Sequence, residues 1–354
     1  MQDKTPSDIS KAEERAMRRN KMRELNSKRV FQPRVFSNFA IKIFMATLLI
    51  GISFAILYPV LALLPMAFTD LRFLGDPNAV WLPPVFSVNS FEFVYRYVMY
   101  NPVTNQGDLM IMVQSLFYGL SIAAIQLFMS AMAGYALART KFKGHKIVFF
   151  LVIFVFLVPR QSLLITQYLN FHSFDLFGII PLFNNGEALN LINRPVTLYL
   201  LAILGFSVNQ SLFVFIFRQF FITMPDEIEE AAYIDGAGFY RTYFKIMVPN
   251  AAPAILTVGM LAFVWAYGDI YYTTYFNPSG PYFSRIINMT FQDANNWYIV
   301  VAARNWFGTS ATNELAFEAL KQSSILTFLA PLLAIYFLVQ RRLIENLDRV
   351  GIKG

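Results

Sequence analysis

The sequence predicts an all-α polytopic membrane protein with six transmembrane helices and both termini on the inner side. Three observations lead there. First, the 354 residues are 56% hydrophobic and only 14% charged, whereas soluble domains carry about 25% charged residues. Second, apolar runs recur at 43–68, 110–138, 147–169, 196–217, 251–276 and 323–340, with polar segments between them. Third, 22 of the 29 Lys and Arg residues fall in 1–42, 139–146, 218–250 and 341–354, against 7 in the three intervening segments. Basic residues accumulate in cytoplasmic loops, so these four segments are predicted to lie inside.

Each element can be justified in order. Residues 1–42 form a basic N-terminal tail without an apolar run, which suits a cytoplasmic segment near an anionic leaflet. The run 43–68 is long enough to cross a bilayer core of about 30 Å with some tilt. An outer loop with Pro77, Pro83, Pro84 and Pro102 follows it, up to residue 109. The run 110–138 contains Gln114, Gln126, Gly119 and Gly134, small and amide residues that suit helix packing in lipid. Its successor is interrupted by Pro159-Arg160, and the expectation is one kinked helix continuing through 169. Arg160 then snorkels outward or faces a wet cavity. Asn209-Gln210 sit inside 196–217, where they read as helix–helix glue. Trp265, Tyr267 and Asp269 sit in 251–276 as candidates for a solute pathway, an aromatic face beside a carboxylate. The outer segment 277–322 holds Trp297, Tyr298 and Trp306 beside amide side chains. That is a surface for handling sugar or touching a partner, or else an aromatic belt at the interface. Pro331 lies in the middle of the last run.

Several function classes are excluded by what the sequence lacks. It has no cysteine, hence no disulfide or thiolate metal site, and its histidines His145 and His172 have no partner at ligand spacing. It has no Gly-Lys dipeptide and therefore no phosphate-cradling G-x-x-x-x-G-K-[ST] loop. No nucleophile–base constellation is available, so the chain is read as a non-enzyme whose driving energy comes from a partner or an ion gradient. The net charge of +7 flanks apolar spans and does not form a nucleic-acid patch.

One polar stretch inside the chain stands apart. After Pro225, the acids Asp226, Glu227, Glu229 and Glu230 occupy the first turns of a predicted helix, where the helix dipole favours negative charge. Gly236 is placed to end it in a left-handed conformation. Ile228, Ala231, Ala232 and Asp235 share one face, flattened in its middle by the two alanines.

The series Glu230-Ala-Ala, two residues, Asp235-Gly-Ala237, then Pro249 and Pro253 resembles the cytoplasmic coupling loop of ABC importer permeases. The carbohydrate-uptake type, similar to the second permease of maltose-like systems, matches it best. Gly134-Tyr-Ala-Leu-Ala-Arg139, Phe217-Arg-Gln-Phe-Phe221 and the Lys353-Gly354 end are similar to the same family. The resemblance implies a type I ABC importer permease fold: first helix and outer loop over 43–109, permease core over 110–345, coupling loop over 224–250, and a cytoplasmic tail over 346–354. It implies that Glu230, Ala231, Ala232, Asp235, Gly236, Ala237 and Pro249 dock a separate ATPase, which binds the ATP and magnesium, so that this chain itself holds no cofactor. The implied partners are an ATPase dimer, a second homologous permease, an extracytoplasmic solute-binding protein and the lipid bilayer. The tail is implied to reach between the ATPase subunits, and an outer loop to enter the binding protein. The implied solute is a sugar or oligosaccharide. Where the family has an aromatic–Asn–Asp cluster, this sequence reads Tyr267-Gly268-Asp269, and its last outer segment is long. The alternatives are a stand-alone secondary transporter or channel, for which only Arg160 and Asp269 are available as intramembrane charges, and an ABC permease for a non-sugar solute.

Overall fold

The computed structural model describes residues 16–22, 33–74, 82–101, 106–175, 179–180, 187–292, 296–308 and 314–351. Most of the basic N-terminal tail, and Lys353-Gly354 at the other end, lie outside the described residues. The chain divides into two units, Met1–Leu64 and Pro65–Gly354.

In the first unit the main element is α1, Pro33–Leu61, which continues after one residue into α2, Leu63–Ala67. The apolar stretch Ile41–Ala67 spans 27 residues, about 40 Å at 1.5 Å per residue. Its side chains from Ile41 to Leu61 are exposed on every face. A helix apolar all round belongs in hydrocarbon, where nothing rewards a polar face.

The second unit is built around α4, Met110–Arg139, 30 residues long. Lipid offers helices no hydrophobic drive to associate, so close backbone approach supplies the attraction. Two glycines provide it: a Cβ on Gly119 would meet the Tyr267 Cβ at 3.0 Å, and one on Gly134 would meet the Phe217 Cβ at 2.6 Å. Tyr267 belongs to α11, Ala252–Tyr267, and Phe217 to α8, Gln210–Thr223. The three helices share a core of Ala123, Ala131, Phe213, Phe217, Val258 and Ala262. The last helix, α15, Glu314–Gly351, is continuous for 38 residues despite Pro331.

Among the described residues, three helices are long and apolar enough to cross a membrane: Ile41–Ala67, Met110–Arg139 and Glu314–Leu343. The other three expected runs are broken. The third is two helices, α5 (His145–Leu157) and α6 (Arg160–His172), whose axes differ by 103°. This is a turn at Pro159 rather than the kinked continuous helix expected from the sequence. The fourth is α7 (Pro195–Ile203) followed by α8, with Gly205 and Asn209 at φ 87° and 52° in the interval. Left-handed backbone at two positions cannot continue a helix. The fifth ends at Tyr267 and resumes as α12, Tyr271–Phe276. With both bent pairs counted as single spans the total is five, and α8 is a shorter apolar helix.

At one end of the second unit sit α9, Glu227–Ile234, and α10, Phe239–Asn250. Pro249 and Pro253 flank a 79° bend between α10 and α11. The opposite end is a packed lobe. It contains α3 (Asn89–Phe93), a π-turn Val94–Val98, a hairpin pairing Tyr100–Asn101 with Gln106–Gly107, α13 (Phe283–Phe291) and α14 (Trp297–Phe307). The first turns of α15 complete it, burying Ala316, Ala319 and Leu320 against Phe93, Phe283 and Ile299. The polar stretch 314–322, expected as outer loop, is thus amphipathic helix.

Candidate functional site

The loop end is held by the final residues of α4. Gly134 lets α8 approach, and Tyr135 packs its ring against Phe221, Phe239 and Tyr243 at 4.9–5.4 Å. Arg139 closes the arrangement. It donates to the Met224 carbonyl at 2.6 Å, pairs with Asp226, and reaches Glu229 at 3.6 Å. Its side chain is 9% exposed. One arginine therefore grips the start of α9 from the end of the central helix. Sequence reasoning quoted Arg139 as part of a motif and did not assign it this contact.

Gly236 is left-handed at φ 77°, as expected. The Ala237 N–H donates to the Ala232 carbonyl and the Gly236 N–H to the Tyr233 carbonyl, the paired closure of a Schellman motif. The helix begins at Glu227 with Asp226 preceding it, two residues later than Pro225 suggested. The face Ile228, Ala231, Ala232 and Asp235 does not act as one surface. Ala232, 3% exposed, turns inward with the half-buried Ile228 and Glu229, whereas Glu230, Ala231, Ile234, Asp235 and Gly236 are exposed. Ile234 reaches 86% exposure, and Tyr233, Phe239, Tyr240 and Phe244 extend the exposed apolar surface. Pro249 is exposed at the corner and Ala237 is half-buried.

The proposed pathway residues are placed differently. Tyr267 is 2% exposed, stacks on Phe328 at 4.4 Å and donates its hydroxyl to the Phe328 carbonyl. Trp265 is half-buried and stacked on Phe213 at 5.5 Å. Asp269, 5% exposed, accepts the N–H groups of Tyr272 and Thr273 and so caps α12. Gln210 and Gln126 act as glue: Gln210 donates across the α7–α8 break to the Ala202 carbonyl, and Gln126 donates from α4 into that break, to the Val208 carbonyl.

A cavity of about 350 Å³ opens where the helices break. Arg160, Gln161 and Gln167 of α6, Ser207 and Asn209 from the α7–α8 interval, and Ser211 of α8 supply its polar lining, with Phe206 and Tyr272 beside them. From the loop end, α5 rises 13 residues, α8 14 and α11 16 before breaking, about 20–24 Å. The three helices thus break at similar distances from the loop end. Irregular backbone at membrane depth is tolerated where it is buried in protein or lines a wet cavity. Neither Tyr267 nor Asp269 lines it. The signals for its true lining were Pro159-Arg160 and the polar interval before Gln210.

In the end lobe, Trp306 is half-buried, with the Arg96 guanidinium 4.9 Å from its ring centre and Tyr97 edge-on to it at 5.9 Å. Tyr298 is partly exposed and lies 6.4 Å from Tyr100. Trp297 opens α14; its side chain lies outside the described residues, as does Asn295.

The central helix grips a loop segment at one end, and a polar cavity lies amid broken helices. Residues 126–348 match the family model of the binding-protein-dependent transport system inner membrane component. The chain belongs to this family. It is a multi-pass membrane protein. It is similar to the arabinooligosaccharides transport system permease protein AraQ of Halalkalibacterium halodurans, 26% identical over 68% of this chain and 72% of that protein. It is also similar to the trehalose transport system permease protein SugB of Mycobacterium tuberculosis, 24% identical over 87% and 95%. Among solved structures it resembles a chain of a bacterial ABC transporter involved in the import of the acidic polysaccharide alginate. The TM-score is 0.63 at 19% identity, covering 86% of this chain and 97% of that one. That likeness speaks for the fold.

Proposed function

We propose that this permease carries a sugar or oligosaccharide into the cell, delivered by an extracytoplasmic binding protein and driven by a separate ATPase dimer that holds the ATP and magnesium. In this reading six segments span the membrane with both termini inside, and a second homologous permease completes the pathway. The observation that carries the reading is the loop end. An exposed face of Glu230, Ala231, Ile234, Asp235 and Gly236 is set on a helix that Arg139 ties to the centre of the bundle. ATPase closure pulls α9, and Arg139 passes the movement to α4, which packs on both α8 and α11. The names of the relatives supply the saccharide class, and the cavity at the breaks supplies a polar place within the spans for hydroxyl-rich solute.

Ala231→Arg tests the docking. Position 231 is exposed, so the charge is tolerated in the isolated chain. The expected result is normal membrane abundance with uptake reduced about 100-fold, as for a like-charge or bulky residue placed in an interface core. Normal uptake by this variant overturns the docking surface. Ala232→Arg is the poorer test, because Ala232 is buried in its own protein and its loss of function reports misfolding as well.

A further inference from the structure

Arg160 is the one charged group among the residues lining the cavity. It is half-buried at the first position of α6, and Tyr271 donates its hydroxyl to its backbone carbonyl at 3.3 Å. Among the described residues no carboxylate lies within ion-pair distance of its guanidinium. The acid that feels its charge is Asp269. Both oxygens of that carboxylate are taken up by the Tyr272 and Thr273 N–H groups, and it stands outside the lining. An arginine at membrane depth is retained where it has a counter-charge or a task.

The remaining lining is neutral. Gln161, Gln167 and Asn209 offer amides and Ser207 and Ser211 hydroxyls, groups that both donate and accept. The helices α6 and α8, 13 and 14 residues long, both begin at the cavity, so their dipoles add to the positive field that Arg160 sets. The volume falls within the range of about 300–1,000 Å³ found for small-molecule sites.

We propose that this cavity receives the acidic group, a carboxylate or sulfonate, of an anionic saccharide, with Arg160 as its counter-ion and the amides and hydroxyls engaging the sugar hydroxyls. A guanidinium presents two parallel N–H groups that match a carboxylate or sulfonate and gives a neutral hydroxyl no comparable advantage. The inference rests on the pathway reading above and narrows its substrate class.

The natural sequence has no cysteine, so Ser207→Cys places one thiol of this chain in the cavity wall. The assembled transporter, with cysteine-free partners, is reconstituted in phosphatidylcholine alone so that no anionic lipid headgroup competes. Two reagents are compared, sulfonatoethyl and trimethylammonioethyl methanethiosulfonate, each normalised to a free thiol. The expected preference for the anionic reagent is about tenfold. D-glucuronate should slow labelling, and D-glucose at equal concentration should not. Arg160→Gln should abolish both the preference and the protection, and Arg160→Lys should keep the preference while weakening protection. Equal rates for the two reagents with Arg160 present overturn the inference without any Arg160 variant having to fold, and so does protection by glucose equal to that by glucuronate. A preference that survives in Arg160→Gln overturns it too. A thiol that neither reagent reaches in any transport state removes the pathway reading along with it, whereas an accessible thiol without charge preference removes the acidic-group inference alone.

Discussion

The continuous helices and the broken ones divide the work of this protein. α4 runs unbroken for 30 residues, and its glycines serve contact: Gly119 and Gly134 sit where a Cβ would strike Tyr267 and Phe217. The interval between α7 and α8 also has a glycine, but a Cβ on Gly205 would meet nothing within 4 Å. Gly205 serves conformation, holding φ at 87°. In the proposed function the unbroken spans transmit position from the loop end. Broken spans expose backbone and polar side chains at membrane depth, and that is where the cavity forms.

This contrast can be broken by substitution. The largest effect is expected at the end of α4. Arg139→Ala strips the half-buried Glu229 of its cation, and the cost stays below about 3–5 kcal/mol, that of breaking a fully buried pair. Membrane abundance and the thermal midpoint of the purified complex should both drop, with lysine rescuing only in part, since a single ammonium cannot grip Met224, Asp226 and Glu229 together. An Arg139→Ala protein of unchanged stability would mean that the loop is held by its apolar contacts alone. The next pair sets the two glycines against each other. Gly134→Leu overpacks the α4–α8 contact, at about 1–3 kcal/mol. Gly205→Ala meets open space and costs about 1–2 kcal/mol of left-handed strain, with uptake falling more than abundance. If the two variants lose abundance equally, the glycines do not play different parts. Asp269→Asn should be the mildest. The amide oxygen keeps one cap bond to α12, and cap changes of this kind cost about 1 kcal/mol or less. Uptake that collapses in this variant at unchanged stability would return Asp269 to the pathway.

Hydropathy marks six apolar runs because it sums side chains over a window, and among the described residues three of them are continuous helices long enough to span. Continuity is a backbone property, and the sum does not see it. Pro159 was visible, but a proline is compatible with either a gentle kink or the 103° turn found here, and neighbours decide which. The break before Gln210 depends on left-handed backbone at Gly205 and Asn209. Both residue types permit that conformation and neither demands it. Tyr267 and Asp269 were read as pathway residues because they are polar in an apolar run. Tyr267 spends its hydroxyl on Phe328, in a segment the run does not contain, and Asp269 caps Tyr272 and Thr273 only because the backbone breaks inside the run and restarts as α12. The loop was the most legible part. Its acid-first helix and Gly236 stop are local signals, and the structure shows both. Which alanine faced outward was decided by Arg139, 87 residues before Asp226 in the chain.

The most direct measurement is a single-site crosslink from the loop end. A photoreactive residue at 234, the most exposed large apolar position of α9, is introduced into the assembled transporter, with one at 306 in the opposite lobe as control. Position 234 is expected to crosslink to the ATPase subunit in high yield and position 306 not at all. Failure of 234 to reach the ATPase in the presence and in the absence of nucleotide, in a complex that still transports, would contradict the assignment of this loop as the coupling element.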